Sequence, residues 1–196
     1  MKLSLPAMLV LFVLGAVAAL VGDHGHVATG TTEYLTHSVP CIWSSPIWFP
    51  VMVGVATVSL AELRLHLPHP RTDVTPRQAL AGVAAVVGTY VVTALVHAAP
   101  PMPAIVLVCV LAALTWCVLG DGPAVVCGVL AAVIGPAVEI VLVEVGVFRY
   151  ADSCAQLYGV GPWLVPLYFA FGVVAALLGE LVGSARQHPE RAPALP

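Results

Sequence analysis

MPAIVLVCVLAALTWCVL, residues Met102–Leu119, carries no charge and no polar break. A helix rises about 1.5 Å per residue, so about 20 such residues cross the hydrocarbon core of a bilayer. Inside that core the backbone must satisfy its own hydrogen bonds, which leaves a helix or a closed barrel. Barrel strands alternate apolar and polar positions. This stretch is continuously apolar, so it reads as one transmembrane helix.

Outward from it the pattern recurs in Leu3–Gly22, Trp43–Leu63, Gln78–His97, Pro123–Val147 and Pro162–Gly183. Sixty per cent of the 196 residues are hydrophobic and 9% are charged, with a mean hydropathy of +1.02. A soluble domain of this length cannot hide so much apolar surface. The expected fold is all-α: a polytopic membrane protein with six transmembrane helices. One membrane domain spans residues 1–186, and the Pro-rich tail 187–196 is expected to be disordered. The first block runs longer than a signal-peptide core, so it is read as a span.

The seven Lys and Arg residues give the orientation. With a cytoplasmic N-terminus, Lys2, Arg64, Arg71, Arg77, Arg186 and Arg191 lie inside and only Arg149 outside, as the positive-inside rule favours. Both termini are therefore expected in the cytoplasm. The gap Arg64–Arg77 either fixes topology or touches anionic lipid heads. No basic cluster is dense enough for nucleic acid. Absence of Asn, one Lys and heavy use of Ala and Val suggest a GC-rich bacterial genome, hence a bacterial inner membrane (the endoplasmic reticulum for a eukaryotic chain).

Few polar groups are left to carry chemistry. Glu139 is the deepest charge, past the middle of the fifth block. An ionised carboxylate at the bilayer centre costs about 3 kcal/mol on insertion scales, so it must be protonated, paired or beside a wet cavity. It is either a polar anchor for a ligand or a neutral carboxyl bonded to a neighbouring helix. Glu144 follows five positions on, about 140° around a helix, so the two do not share a narrow face. Asp23, His24 and His26 have the types of metal ligands, but nothing completes a tetrahedral set, and a solvated loop is expected. No metal and no cofactor are expected. Asp121-Gly122 reads as a turn, and neither a Gly-x-Ser-x-Gly elbow nor a His-Glu-x-x-His helix occurs, so no enzyme is expected. Cys41 and Cys154 fall in gaps on one side, where a disulfide is an option.

Gly146-Val147-Phe148-Arg149-Tyr150, then Leu157-Tyr158, then Trp163-Leu164 leading to Phe169 and Gly172-Val173, resembles the end of the Insig family. Trp48-Phe49-Pro50 with Gly54, Val87-Gly88 and Trp116 resemble further family positions in order and spacing. The resemblance covers roughly residues 43–183. It implies six spans with cytoplasmic termini, a sterol-responsive regulator, and a Scap-like partner. By the same spacing the family's pocket Gln and Thr fall at Pro103 and Leu107, and its pocket Phe at Val86.

These readings together point to a lipid-binding bundle acting as a sensor or regulator. Its ligand is a sterol or, more in keeping with a bacterium, a diacylglycerol-like lipid. Val86, Leu107 and Trp116 are the candidate walls, Gly54 and Gly88 leave room between helices, and Glu139 is the candidate anchor; ordinary helix packing is the competing account. A small proton-coupled transporter built on Glu139 and Pro136 is one rival, and a structural membrane subunit without ligand another. The small-residue face Gly82, Ala85 and Thr89 permits a homo-oligomer, with a trimer as one option.

Overall fold

The computed structural model describes residues 2–36 and 39–184; the tail 187–196 lies outside them. Its six long apolar helices are α1 (Leu5–Ala28), α2 (Trp48–His66), α3 (Pro76–Leu95), α4 (Pro101–Leu119), α5 (Ala124–Glu144) and α6 (Leu164–Ser184). Their starts follow local chemistry. Ser4 caps α1 by accepting from the Ala7 N–H, and Thr75 with Gln78 forms a capping box before Pro76. Asp121 Oδ1 accepts from Ala124 N at 2.8 Å and so opens α5.

Helix α6 is the axis of the bundle. Its residues from Gly172 to Glu180 are buried without interruption, so every face meets protein. Between helices in lipid, association rests on close van der Waals contact, which small residues permit. A Cβ at Gly172 would strike the Cys127 carbonyl and stand 2.8 Å from Gly128 Cα on α5. One at Gly179 would stand 2.8 Å from Ala61 Cα on α2. Thus α5 and α2 lie on α6 backbone to backbone.

Four short strands close one end of the bundle. β1 (Thr32–Tyr34) pairs antiparallel with β4 (Phe148–Tyr150), and β2 (Cys41–Ile42) with β3 (Ser45–Pro46). Strand side chains alternate faces. Phe148 and Tyr150 therefore point into the bundle while Arg149 points out, where it pairs with Glu33 at 2.6 Å. This is the loop end; an even number of crossings puts both termini at the other, terminal end.

The helix limits depart most from the hydropathy blocks in two places. The first helix runs on to Ala28, through Asp23 and His26, because both polar side chains find partners inside. The second begins at Trp48, not Trp43, since Trp43 sits in the β2–β3 turn with φ 54°. Gly82 and Thr89 are buried in the protomer; Gly82 faces Val174 and Leu177 of α6. Gly82 of the small-residue face is thus spent on packing within the protomer. Cys41 and Cys154 are both free thiols, the first exposed and the second buried.

Candidate functional site

Helices α2 and α5 both lean on α6, and a cavity of about 290 Å³ lies between them, with α1 and α3 completing its wall. Small residues line much of it: Gly15, Ala18 and Ala19 on α1, Ala56 on α2, Ala131 and Gly135 on α5. Met52, Leu60, Val86, Leu130 and Phe171 make the rest of the wall apolar. Leu130 and Ile134 line the cavity and also belong to the exposed apolar surface, so its wall runs out to the face that meets lipid. Pro136 sits within α5 on this wall's helix; it has no N–H to offer the carbonyl one turn back.

One end of the cavity is polar. Glu139 is 5% exposed, and its carboxylate accepts from the Tyr150 hydroxyl at 2.5 Å and the Tyr168 hydroxyl at 2.6 Å. Beside it, Asp23 Oδ2 accepts from the Tyr34 hydroxyl at 3.0 Å and from the Ser45 hydroxyl. His26 Nε2 lies 2.9 Å from Thr93 Oγ1. That hydroxyl donates to the Tyr90 carbonyl at 2.6 Å, so Nε2 carries the proton and donates. Burial, then the adjacent carboxylates, raises the phenols of Tyr34 and Tyr150 above their ordinary value. Both keep their protons and remain donors. The solvated loop expected at Asp23 and His26 is corrected by this: both are buried, at 4% and 1% exposure, because hydroxyls from β1, β3 and α3 meet them. Among the described residues no His, Cys, Asp and Glu cluster could hold a metal.

Of the six candidate lipid-site residues, the fold brings Val86 and Glu139 together on the cavity wall. The other four lie elsewhere. Gly54 packs against Phe12 of α1. Gly88 faces open space, with nothing within 4 Å of a Cβ placed there. Leu107 is exposed on α4. Trp116 donates from Nε1 to the Asp121 carbonyl at 3.1 Å and stands edge-on to Phe169. The reason for the last two is that α4 packs on α3 and α6 and contributes nothing to the cavity wall. Tyr168, Tyr150 and Asp23 were missed. The Tyr residues had a signal, since a buried carboxylate requires donors, but their distance along the chain hid the pairing.

A second polar cluster ties the terminal end. Arg64 and Glu180, both 0% exposed, meet at 2.6 Å. Arg64 also reaches Asp121 at 2.5 Å and the carbonyls of Pro68 and His69. Arg71 clasps Glu180 from Nη2 at 2.7 Å and donates to the Leu119 carbonyl. The cluster joins α2, the α2–α3 loop, the α4–α5 turn and α6.

No family model matches the chain. A curated relative, the INSIG protein homolog of Mycolicibacterium vanbaalenii, is 68% identical over 186 residues, covering 95% of this chain and 91% of the relative. The crystal structure of the mycobacterial Insig homolog MvINS from Mycobacterium vanbaalenii superposes with a TM-score of 0.93 at 66% identity, over 100% of both chains. A cross-linked R77C trimer of MvINS matches with a TM-score of 0.93 at 64% identity, again over 100% of both chains.

Proposed function

The chain belongs to the Insig family, and from that premise we propose that it holds one neutral membrane lipid, diacylglycerol-like rather than sterol, in the cavity between α2 and α5. It is an integral membrane protein of a family of regulatory or binding proteins rather than enzymes, and in this reading it serves as a lipid sensor. The observation that carries the proposal is the cavity itself: apolar walls, an opening toward lipid, and one end of hydroxyls and carboxylates. A cavity of about 290 Å³ is at the small end of ligand sites, which run from about 300 to 1,000 Å³. It takes the head and first part of the tails, and the rest of each chain extends through the open side into the bilayer. A tail gains little by leaving lipid for an apolar wall, so selection falls on shape and on the polar end.

The assembly we propose is a homotrimer in a bacterial inner membrane, with both termini in the cytoplasm where most of the Lys and Arg residues lie. The test is mass spectrometry of lipids extracted from protein purified in mild detergent. Enrichment of diacylglycerol over the surrounding membrane supports the proposal, and recovery of bulk composition only would sink it. A proton-coupled transporter is the second reading, because Glu139 borders the cavity. Glu139→Gln separates the two: a transporter loses coupled flux, whereas a lipid binder keeps its fold and most of its bound lipid.

A further inference from the structure

Behind the polar end of the cavity lies a separate void of about 10 Å³, close to the space one water needs. Phe49, Tyr90 and Glu139 line both spaces. The void is further bordered by Asp23 and Thr32. Two observations mark it as a place for one oxygen. Thr32 is 6% exposed, yet its Oγ1 is buried with no hydrogen-bond partner, and such groups are rare because each costs about 1–3 kcal/mol. On Asp23, both hydroxyl donors go to Oδ2, leaving Oδ1 without a donor.

We propose that this void is a binding site for a single hydroxyl group, held between Thr32, Asp23 and Glu139. The Thr32 hydroxyl donates to the bound oxygen, and the bound O–H donates to Asp23 Oδ1. A water has a second hydrogen for the Glu139 carboxylate, so it meets three polar partners, within the usual range for buried water. The alcohol of a neutral lipid makes the first two bonds, its C–O bond leaving past Phe49 and Tyr90 into the cavity. The site stands on its own geometry; entry by a lipid alcohol rests on the lipid-binding reading above. The site chooses hydroxyls over ethers, because an ether oxygen cannot donate to Asp23.

Apparent affinities of the purified full chain for 1,2-dioctanoylglycerol and for its 3-O-methyl ether, by native mass spectrometry, distinguish the sources. One hydrogen bond lost is worth about tenfold. A lipid alcohol in the site predicts about tenfold preference for the free alcohol, unchanged by Thr32→Ser, and about tenfold weaker binding of the free alcohol in Thr32→Val, which removes the donor to its oxygen. A water in the site predicts equal binding of the two glycerides, with an ordered oxygen beside Thr32 Oγ1 in a crystal structure of the wild-type protein. Absence of both the preference and the ordered oxygen overturns the site, and both are read on the wild-type protein, so the test stands even should Thr32→Val fail to fold. Failure of both glycerides to bind defeats the lipid reading alone, and the oxygen density then decides the site.

Discussion

Gly172→Ala adds one methyl group where α6 and α5 touch. The new Cβ would stand 2.7 Å from Cys127 C and 2.8 Å from Gly128 Cα, whereas carbon atoms rest at about 3.5–4.0 Å. Backbone on both sides leaves no flexible side chain to turn away, so the helices must part by about 1 Å. A gap of that size forfeits a quarter to a half of each contact's attraction. Overpacking of this kind costs about 2–3 kcal/mol, which raises the unfolding constant roughly 30- to 140-fold. Gly88→Ala on α3 is the control, since its Cβ meets nothing within 4 Å. It should be neutral, or stabilising by up to about 1 kcal/mol through helix propensity. Reversible unfolding in mixed micelles of rising SDS fraction, followed by tryptophan fluorescence, measures both. A Gly172→Ala protein that unfolds at the wild-type SDS fraction would refute the backbone-contact account of α6, as would equal damage from Gly88→Ala.

Glu180→Ala leaves Arg64 buried with one fewer counter-charge, and breaking a buried pair costs about 3–5 kcal/mol; the same SDS titration should register it. Glu33→Gln removes the partner of Arg149 on the exposed ribbon and should cost less than about 1 kcal/mol in that assay. Burial pushes the Cys154 thiol up to about 11, so at pH 8 about one molecule in a thousand is thiolate. Maleimide followed by peptide mass spectrometry should label exposed Cys41 first, and labelling of Cys154 should speed up as pH rises toward that value. Val86→Trp fills the cavity from α3 and should strip co-purified lipid while the helical circular dichroism stays at the wild-type level.

The spans were legible because a bilayer demands a long apolar run for each crossing, and Met102–Leu119 meets that demand with no exception. What hydropathy misread were polar residues whose partners lie far along the chain. Asp23 ends an apolar block and looks like the start of a loop, yet Ser45 and Tyr34 draw it inside. Arg64 opens a gap that reads as fixing topology or touching lipid heads, yet it is buried against Asp121 and Glu180. Glu139 stood out by rarity alone, since nothing else so polar lies that deep in a block. Glycines carried no such signal. Gly82 and Gly88 lie on the same helix, but Gly82 packs against Val174 and Leu177 of α6 and Gly88 faces open space. Their difference is one of rotation about the helix axis, which composition does not encode.

The distribution of charge argues which lipid the cavity accepts. All the buried cationic side chains of the described residues sit in the terminal cluster, where Arg64 is already engaged with Asp121 and Glu180. Neither the cavity nor the void behind it is lined by Lys or Arg; the ionisable groups there are Asp23, His26, Glu139 and tyrosines. A phosphate head at that end would be a buried anion without a cation, against carboxylates, and burying an ion uncompensated costs several kcal/mol. A neutral alcohol escapes that cost. If the penalty is about 3 kcal/mol, phosphatidic acid should bind roughly 100-fold more weakly than the diacylglycerol with the same chains. Competition between the two in native mass spectrometry measures the ratio. Equal or tighter binding of phosphatidic acid would mean that the head does not sit at Glu139, and would move the polar end of the ligand toward Arg64 and Arg71.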